Sequence, residues 1–490
     1  MRERLKVAPS AEVMEYLLMP ALEAERSRSF TNMMDVNKGH LLMLISKGIV
    51  SREVGQKIAD ALEEINEKGA SALELDPKLE ELYFNIEAAL IKLVGVEVGG
   101  QLHTARSRND LFATVARMNS RDQLLSVNQL LTELREVLLT LAEKSLYVVM
   151  SGYTHMQPAE PVTLAHYLSA ILFSLERDHK RFEHTYNQIN ISPLGAGAMA
   201  STSFQIDREE TSNLLGFHHA IDNSIDGVAS RDYLLEALST MNILMNNLSR
   251  FSHDLYIWST DEFGLAEVDD SVAACSSIMP QKKNPITLEH IKAKSGHLIG
   301  AVVSATSILK NTPYGHSRDL TESFKYLWDS FSEVTSSLHL MIATVKTLKF
   351  NEEKMFLRAL ENFSTVTELA NTIVREAHIS FKEAHQIVGH LVGEMLDKKI
   401  SVTQIDAEMI KRISLTVIGK EIILTKAGIQ NALDPIQNVE SKNASGGPAP
   451  SEVKKQLTRI KERLDLDRGW LKEQQVMLET KRKLLTRVTI

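Results

Sequence analysis

Cysteine is almost missing from this chain: Cys275 is the single one among 490 residues. That excludes an intrachain disulfide and a cysteine-rich metal site, and makes a reducing, cytoplasmic compartment the natural setting. Long apolar runs are missing as well. No window approaches the ~18 uninterrupted apolar residues of a membrane span. Met1–Lys6 opens with charge and no apolar stretch follows it, so neither a secretion signal nor a lipidation site is expected. A cationic excess is also lacking: 55 Lys and Arg against 63 Asp and Glu give a formal net charge of −8. Such a balance offers no footprint for nucleic acid or an anionic membrane. No glycine-rich phosphate loop, helical zinc spacing or Gly-x-Ser-x-Gly elbow occurs, so no cofactor and no metal are expected. The length calls for two or three domains or one extended helical body.

Glycine and proline are absent from long stretches, and this decides the fold class. Between Leu111 and Ser151 there is neither, and Val127, Leu131, Leu134, Leu138 and Leu141 recur at spacings of four and three. The pattern predicts one amphipathic helix on the order of 60 Å long at ~1.5 Å per residue. Val162–Ile191, Val228–Phe263 and His316–Val388 repeat it. Together they predict an all-α protein built on a long central helical bundle. The last stretch needs a break near Phe350–Glu353, where Asn351 can cap a new helix with acids in its first turn. The expected domains are 1–110, an N-terminal helical region with an anion-binding segment; 111–365, the central bundle; and 366–490, a C-terminal helical region. Within the last, Gly446–Pro450 reads as a linker before a charged terminal helix from Ser451.

The residues that carry chemistry sit between these helices. Ser276-Ser277-Ile278-Met279-Pro280-Gln281-Lys282-Lys283-Asn284-Pro285 concentrates two hydroxyls, two ammoniums and two amides around prolines that forbid a plain helix. Lysine and asparagine there can hold a carboxylate, and a deprotonated serine can act as a base. A solvated surface loop is the competing reading. His103-Thr104-Ala105-Arg106-Ser107-Arg108-Asn109-Asp110 precedes the first long helix; its arginines can fork onto carboxylates near a helix N-terminus, or Asp110 can simply cap the helix beside surface arginines. Gly152-Tyr153-Thr154-His155-Met156-Gln157 places a histidine in a short loop between two long helices, either to move protons or as a structural donor. Anion donors, a histidine and a serine-lysine-asparagine loop on a helical scaffold suggest proton abstraction next to a carboxylate. Holding the dianion so formed is the largest catalytic demand.

These segments resemble the fumarase and aspartase superfamily, whose signature loop reads Gly-Ser-Ser-x-Met-Pro-x-Lys-x-Asn-Pro, and within it the argininosuccinate lyase family. Supporting segments run from His103–Asp110 through Ser192–Gly197, Asn223–Asp232 and Phe381–His385 to Gly446–Pro450. The resemblance implies a three-domain chain that assembles as a homotetramer around a twenty-helix core, with each active site drawn from three subunits. It implies reversible anti elimination of an amine from an N-substituted aspartate, argininosuccinate in the first instance, with release of fumarate. By the family pattern Ser276 removes the Cβ proton, and Lys282 and Asn284 stabilise the resulting aci-carboxylate. His155 serves the leaving nitrogen, with Glu289 of another subunit as its charged partner. Ser107, Arg108, Asn109, Thr154 and Ser277 bind substrate, a small dicarboxylate.

The chain also departs from that pattern. The glycine before the serine pair is Cys275, read here as inert, and the glycine after His-Thr is Ala105; both changes narrow the backbone's freedom. Where the family reads Tyr-Asn-x-Asp-Leu-Gln-Glu-x-Lys, this chain reads His316 to Phe324 without the tyrosine, glutamine and lysine. Leu111 and Ile286 are further substitutions. A lyase for a different N-substituted aspartate, or a catalytically silent crystallin-like relative, are therefore the alternatives.

Overall fold

The computed structural model describes residues 7–486; the charged opening Met1–Lys6 lies outside the described residues. Seven helices of 24 to 37 residues carry the architecture: α1 Met19–Ser46, α2 Arg108–Lys144, α3 Leu164–Ile189, α4 Asp232–Trp258, α5 Ile286–Leu309, α6 Phe324–Thr347 and α7 Pro450–Thr486. Among the described residues, strands are confined to three two-stranded antiparallel ribbons. The all-α expectation therefore holds.

Helices α2 to α6 form the central bundle. Val127, Leu131, Leu134 and Leu138, the stripe seen in the sequence, are fully buried in one core with Leu168, Leu172 and Leu175 of α3, Leu238 and Met241 of α4, and Val334 and Leu338 of α6. A second apolar core gathers α1, the helices Arg52–Lys68 and Leu82–Val94, and the first turns of α2 through Leu111, Val115 and Met118. A third is local to Leu369–Leu433. The terminal helix α7 packs on the central bundle, not on that third core, through Val453, Leu457, Ile460 and Leu464. Asp467 anchors it there: its carboxylate accepts from buried Arg135 at 2.8 Å and also faces Lys180 at 3.1 Å and His179 at 3.4 Å.

Three expectations need correction. The first long helix ends at Lys144 and does not run to Ser151; the chain turns at Ser145 and enters a β-hairpin, Val149–Thr154 paired with Gln157–Thr163. Val148, Val149 and Val162 favour strand, and Gly152 lets the partner strand close in, since a Cβ there would lie 2.9 Å from the Glu160 carbonyl. The segment around His155 is thus a ribbon, not a plain loop. The last stretch, His316–Val388, breaks at Leu348–Asn351, where Asn351 caps as expected, accepting from Lys354 N at 3.0 Å. It breaks again at Asn362–Thr365 and at His378–Ser380, where Ser380 and Glu383 form a capping box. Polar caps end those helices without help from glycine or proline.

Candidate active site

The serine-lysine-asparagine segment is a closed loop on a short ribbon. Ala274 pairs with Asn284 and Cys275 with Lys283, and Ser276 N donates to Lys282 O at 3.2 Å. Inside that closure the Ser276 Oγ accepts two backbone N–H groups, from Met279 at 3.0 Å and from Ile278 at 3.4 Å. Two converging amide dipoles favour an oxyanion at that atom. The two lysines are not equivalent. Lys283 is held by Asp270 at 2.7 Å and Glu267 at 3.1 Å, whereas Lys282 makes no ion pair among the described residues. Lys282, Asn284 and Glu289 line one cavity of about 670 Å³. Glu289 stands in the first turn of α5, whose N-cap is Pro285, a residue without the N–H that a helix running through it would need. Ser277, Ile278 and Cys275 are exposed.

At the start of α2 the capping reading is present. Ser107 is the N-cap and Asp110 returns a hydrogen bond to its N–H at 3.0 Å. The other Asp110 oxygen accepts from Gly195 N and Gly197 N, each at 2.9 Å, which ties the Ser192–Gly197 segment to the helix start. Burial pushes this carboxyl up to about 6 against the pull of those N–H groups. Arg106 is 7% exposed and lies over the Tyr83 ring at 5.1 Å. Arg108 is exposed and reaches Glu81 at 3.3 Å and Glu80 at 3.6 Å, and Asn109 donates to Ala198 O at 3.1 Å. Ala105 adopts φ +63°, the left-handed region that glycine would occupy at lower cost.

Thr154 and His155 are exposed at the tip of the hairpin. His155 and Met156 form its two-residue turn, with φ +51° and +59°. Such turns favour Asn-Gly, so a histidine held there costs about 1–2 kcal/mol of strain.

A second cavity, about 310 Å³, is lined by Arg108, Phe112, His316, Arg318, Thr321, Phe324 and Trp328, together with Glu25 and Arg28 of α1. The altered segment His316–Phe324 therefore faces the start of α2 within one chain. Phe324 is buried edge-on to Phe112 at 5.7 Å, and His316 lies edge-on to Phe112 at 6.2 Å. Burial, then Arg231, Arg108 and Arg318, hold His316 down at about 4, so it is neutral. The wall from Glu25 to Arg28 carries no motif, and nothing in its local sequence marks it as part of a site. The Arg108 cavity and the Lys282 cavity share no lining residue, and His155 lines neither.

A family model described as lyase matches residues 24–300, and one described as argininosuccinate lyase C-terminal matches 363–440. Argininosuccinate lyase 1 of Shouchella clausii is 48% identical over 465 residues, 95% of this chain and 93% of that protein. The chain belongs to the argininosuccinate lyase family. Argininosuccinate lyase of Methanocaldococcus jannaschii is 43% identical over 87% of each chain. Among solved structures, EDDS lyase in complex with formate superimposes with a TM-score of 0.88 at 34% identity, over 98% of this chain and 95% of that one.

Proposed function

We propose that this protein is a C–N lyase that converts argininosuccinate to arginine and fumarate. The observation that carries the reading is the Ser276 hydroxyl held between two backbone N–H groups in a closed loop. A serine hydroxyl is a poor base; the two donors stabilise the alkoxide that the reaction requires. Ser276 then takes the Cβ proton, the Lys282 ammonium and the Asn284 amide hold the aci-carboxylate, and the C–N bond breaks as His155 delivers a proton to the leaving nitrogen. Glu289 is the charged partner of His155. Ser107, Arg108, Asn109, Thr154 and Ser277 grip the carboxylates.

We place the active site between subunits of a cytoplasmic homotetramer. The separate positions of Arg108, His155 and Lys282 in one chain support this, and so does α5. Along it Ala293, Gly296, Gly300, Val303 and Ser307 are exposed at spacings of three and four, with open space over both glycines and Val303 61% exposed. That is a seam of small residues suited to close helix packing. Five central helices in each of four chains make a twenty-helix core.

Purified protein given argininosuccinate should raise the fumarate absorbance, and Ser276→Ala should reduce that rate by at least ~10³-fold with the fold retained. No fumarate from the parent protein refutes the arginine assignment. A second reading, elimination of a different amine, is favoured by the aromatic and histidine replacements around Phe112; fumarate from another N-substituted aspartate and none from argininosuccinate would select it.

A further inference from the structure

The charges lining the Arg108 cavity do not cancel evenly. Arg108 is paired with Glu80 and Glu81, Arg318 with Glu322 at 2.9 Å and Lys325 with Asp329 at 2.7 Å, while Arg28 lies over the Trp328 ring at 4.7 Å. Glu25 is the acid that remains. Its carboxylate accepts from Leu82 N at 3.3 Å and forms no ion pair among the described residues. Helix α1 fixes it there: Leu22, one turn earlier, is fully buried in the N-terminal core, and Phe30 just beyond belongs to the same core, with Ser29 buried beside it.

We infer that Glu25, with Glu81 beside it, is a specificity-determining carboxylate that receives the positive charge of the leaving amine. The inference rests on the lyase reading and adds the residue that selects the amine. Burial, and then the neighbouring Glu81 carboxylate, push Glu25 up to about 7, so an entering guanidinium both ionises it and relieves the repulsion between the two acids. Arg108 of the same cavity holds a succinyl carboxylate, which places the adjacent guanidinium against the Glu25–Glu81 wall. Phe112, which also lines the cavity, supplies apolar surface along which the aliphatic stem can lie. The altered His316–Phe324 segment then has a reason: part of the recognition of the amine has passed to α1.

The reverse reaction separates this role from a merely structural one, because arginine and fumarate are varied independently. Glu25→Gln should raise the KM for arginine about tenfold or more, the loss expected of a charge-assisted hydrogen bond. The KM for fumarate should stay within about twofold, and Glu25→Asp should restore part of the arginine affinity. An unchanged KM for arginine, or equal rises in both constants, overturns the assignment. If the parent protein makes no argininosuccinate from arginine and fumarate, the arginine reading and this inference fail together; an active parent with an indifferent Glu25→Gln variant refutes the inference alone.

Discussion

Replacing Asp110 tests how the start of α2 is held. Its carboxylate serves four backbone N–H groups: Ser107 and Leu111 on one oxygen, Gly195 and Gly197 on the other. Asp110→Ala leaves both glycine N–H groups buried without an acceptor, at about 1–3 kcal/mol each, and removes one arm of the capping box, about 1 kcal/mol. Water admitted to the vacated space returns part of this, leaving about 3–5 kcal/mol. With roughly 2 cal/mol/K per residue and a cooperative unit of some hundreds of residues, the thermal midpoint should fall on the order of 5 °C. Asp110→Asn keeps one acceptor oxygen and should cost less than half as much. Because Ser107, Arg108 and Asn109 sit on the loosened turn, the KM for substrate should rise as well, about tenfold. The assays are thermal unfolding at fixed protein concentration and fumarate release at about pH 8, where Asp110 is ionised. A shift below about 1 °C with an unchanged KM would refute the reasoning.

Asp467→Ala strands Arg135, wholly buried, without its anion. A loss of about 3–5 kcal/mol is expected, read as a lower thermal midpoint and as proteolytic release of α7; an unaltered midpoint contradicts the anchoring role. His40 is buried and held down at about 3, mainly by burial and then by Arg106, with its Nε2 at 2.9 Å from Thr104 O. It is neutral in the fold, whereas the unfolded chain binds a proton below about pH 6.5. Its contribution to stability is therefore complete above that pH and declines as pH falls toward 3, by up to ~1.4 kcal/mol per pH unit. His40→Asn should flatten the fall of thermal midpoint between about pH 6 and pH 4, and a slope equal to the parent's would count against it. Finally, Ser276→Ala and His155→Ala chains, each inactive alone, should recover fumarate release when unfolded and refolded together. Continued inactivity of properly assembled mixed tetramers would argue that the site lies within one chain.

Much of this protein is legible in the sequence because its periodicity is local. The stripe Val127–Leu138 marks a buried helix face on its own terms, and Asn351 followed by two glutamates announces a helix start. The residues of the signature loop are legible as chemistry because no helix or strand needs two hydroxyls, two lysines and an asparagine around prolines. Elsewhere a distant partner decided. Lys144 ends α2 because Val149–Thr154 finds a strand across the hairpin, and strand pairing at Gly152 depends on Glu160 rather than on neighbours in sequence. Which of Lys282 and Lys283 stays unpaired depends on Glu267 and Asp270, brought near by the fold.

The sequence by itself determined the helical class, the polar loop from Ser276 to Pro285 and the helix cap before α2, since each rests on residue types and spacings within a few turns. Only the tertiary structure decided that Arg106 is buried while Arg108 is presented. It also put Glu25, from a helix far earlier in the chain, into the same cavity as Arg108, His316 and Phe324. Those outcomes depend on burial and on charges that are far apart along the chain, and neither is encoded in any one segment.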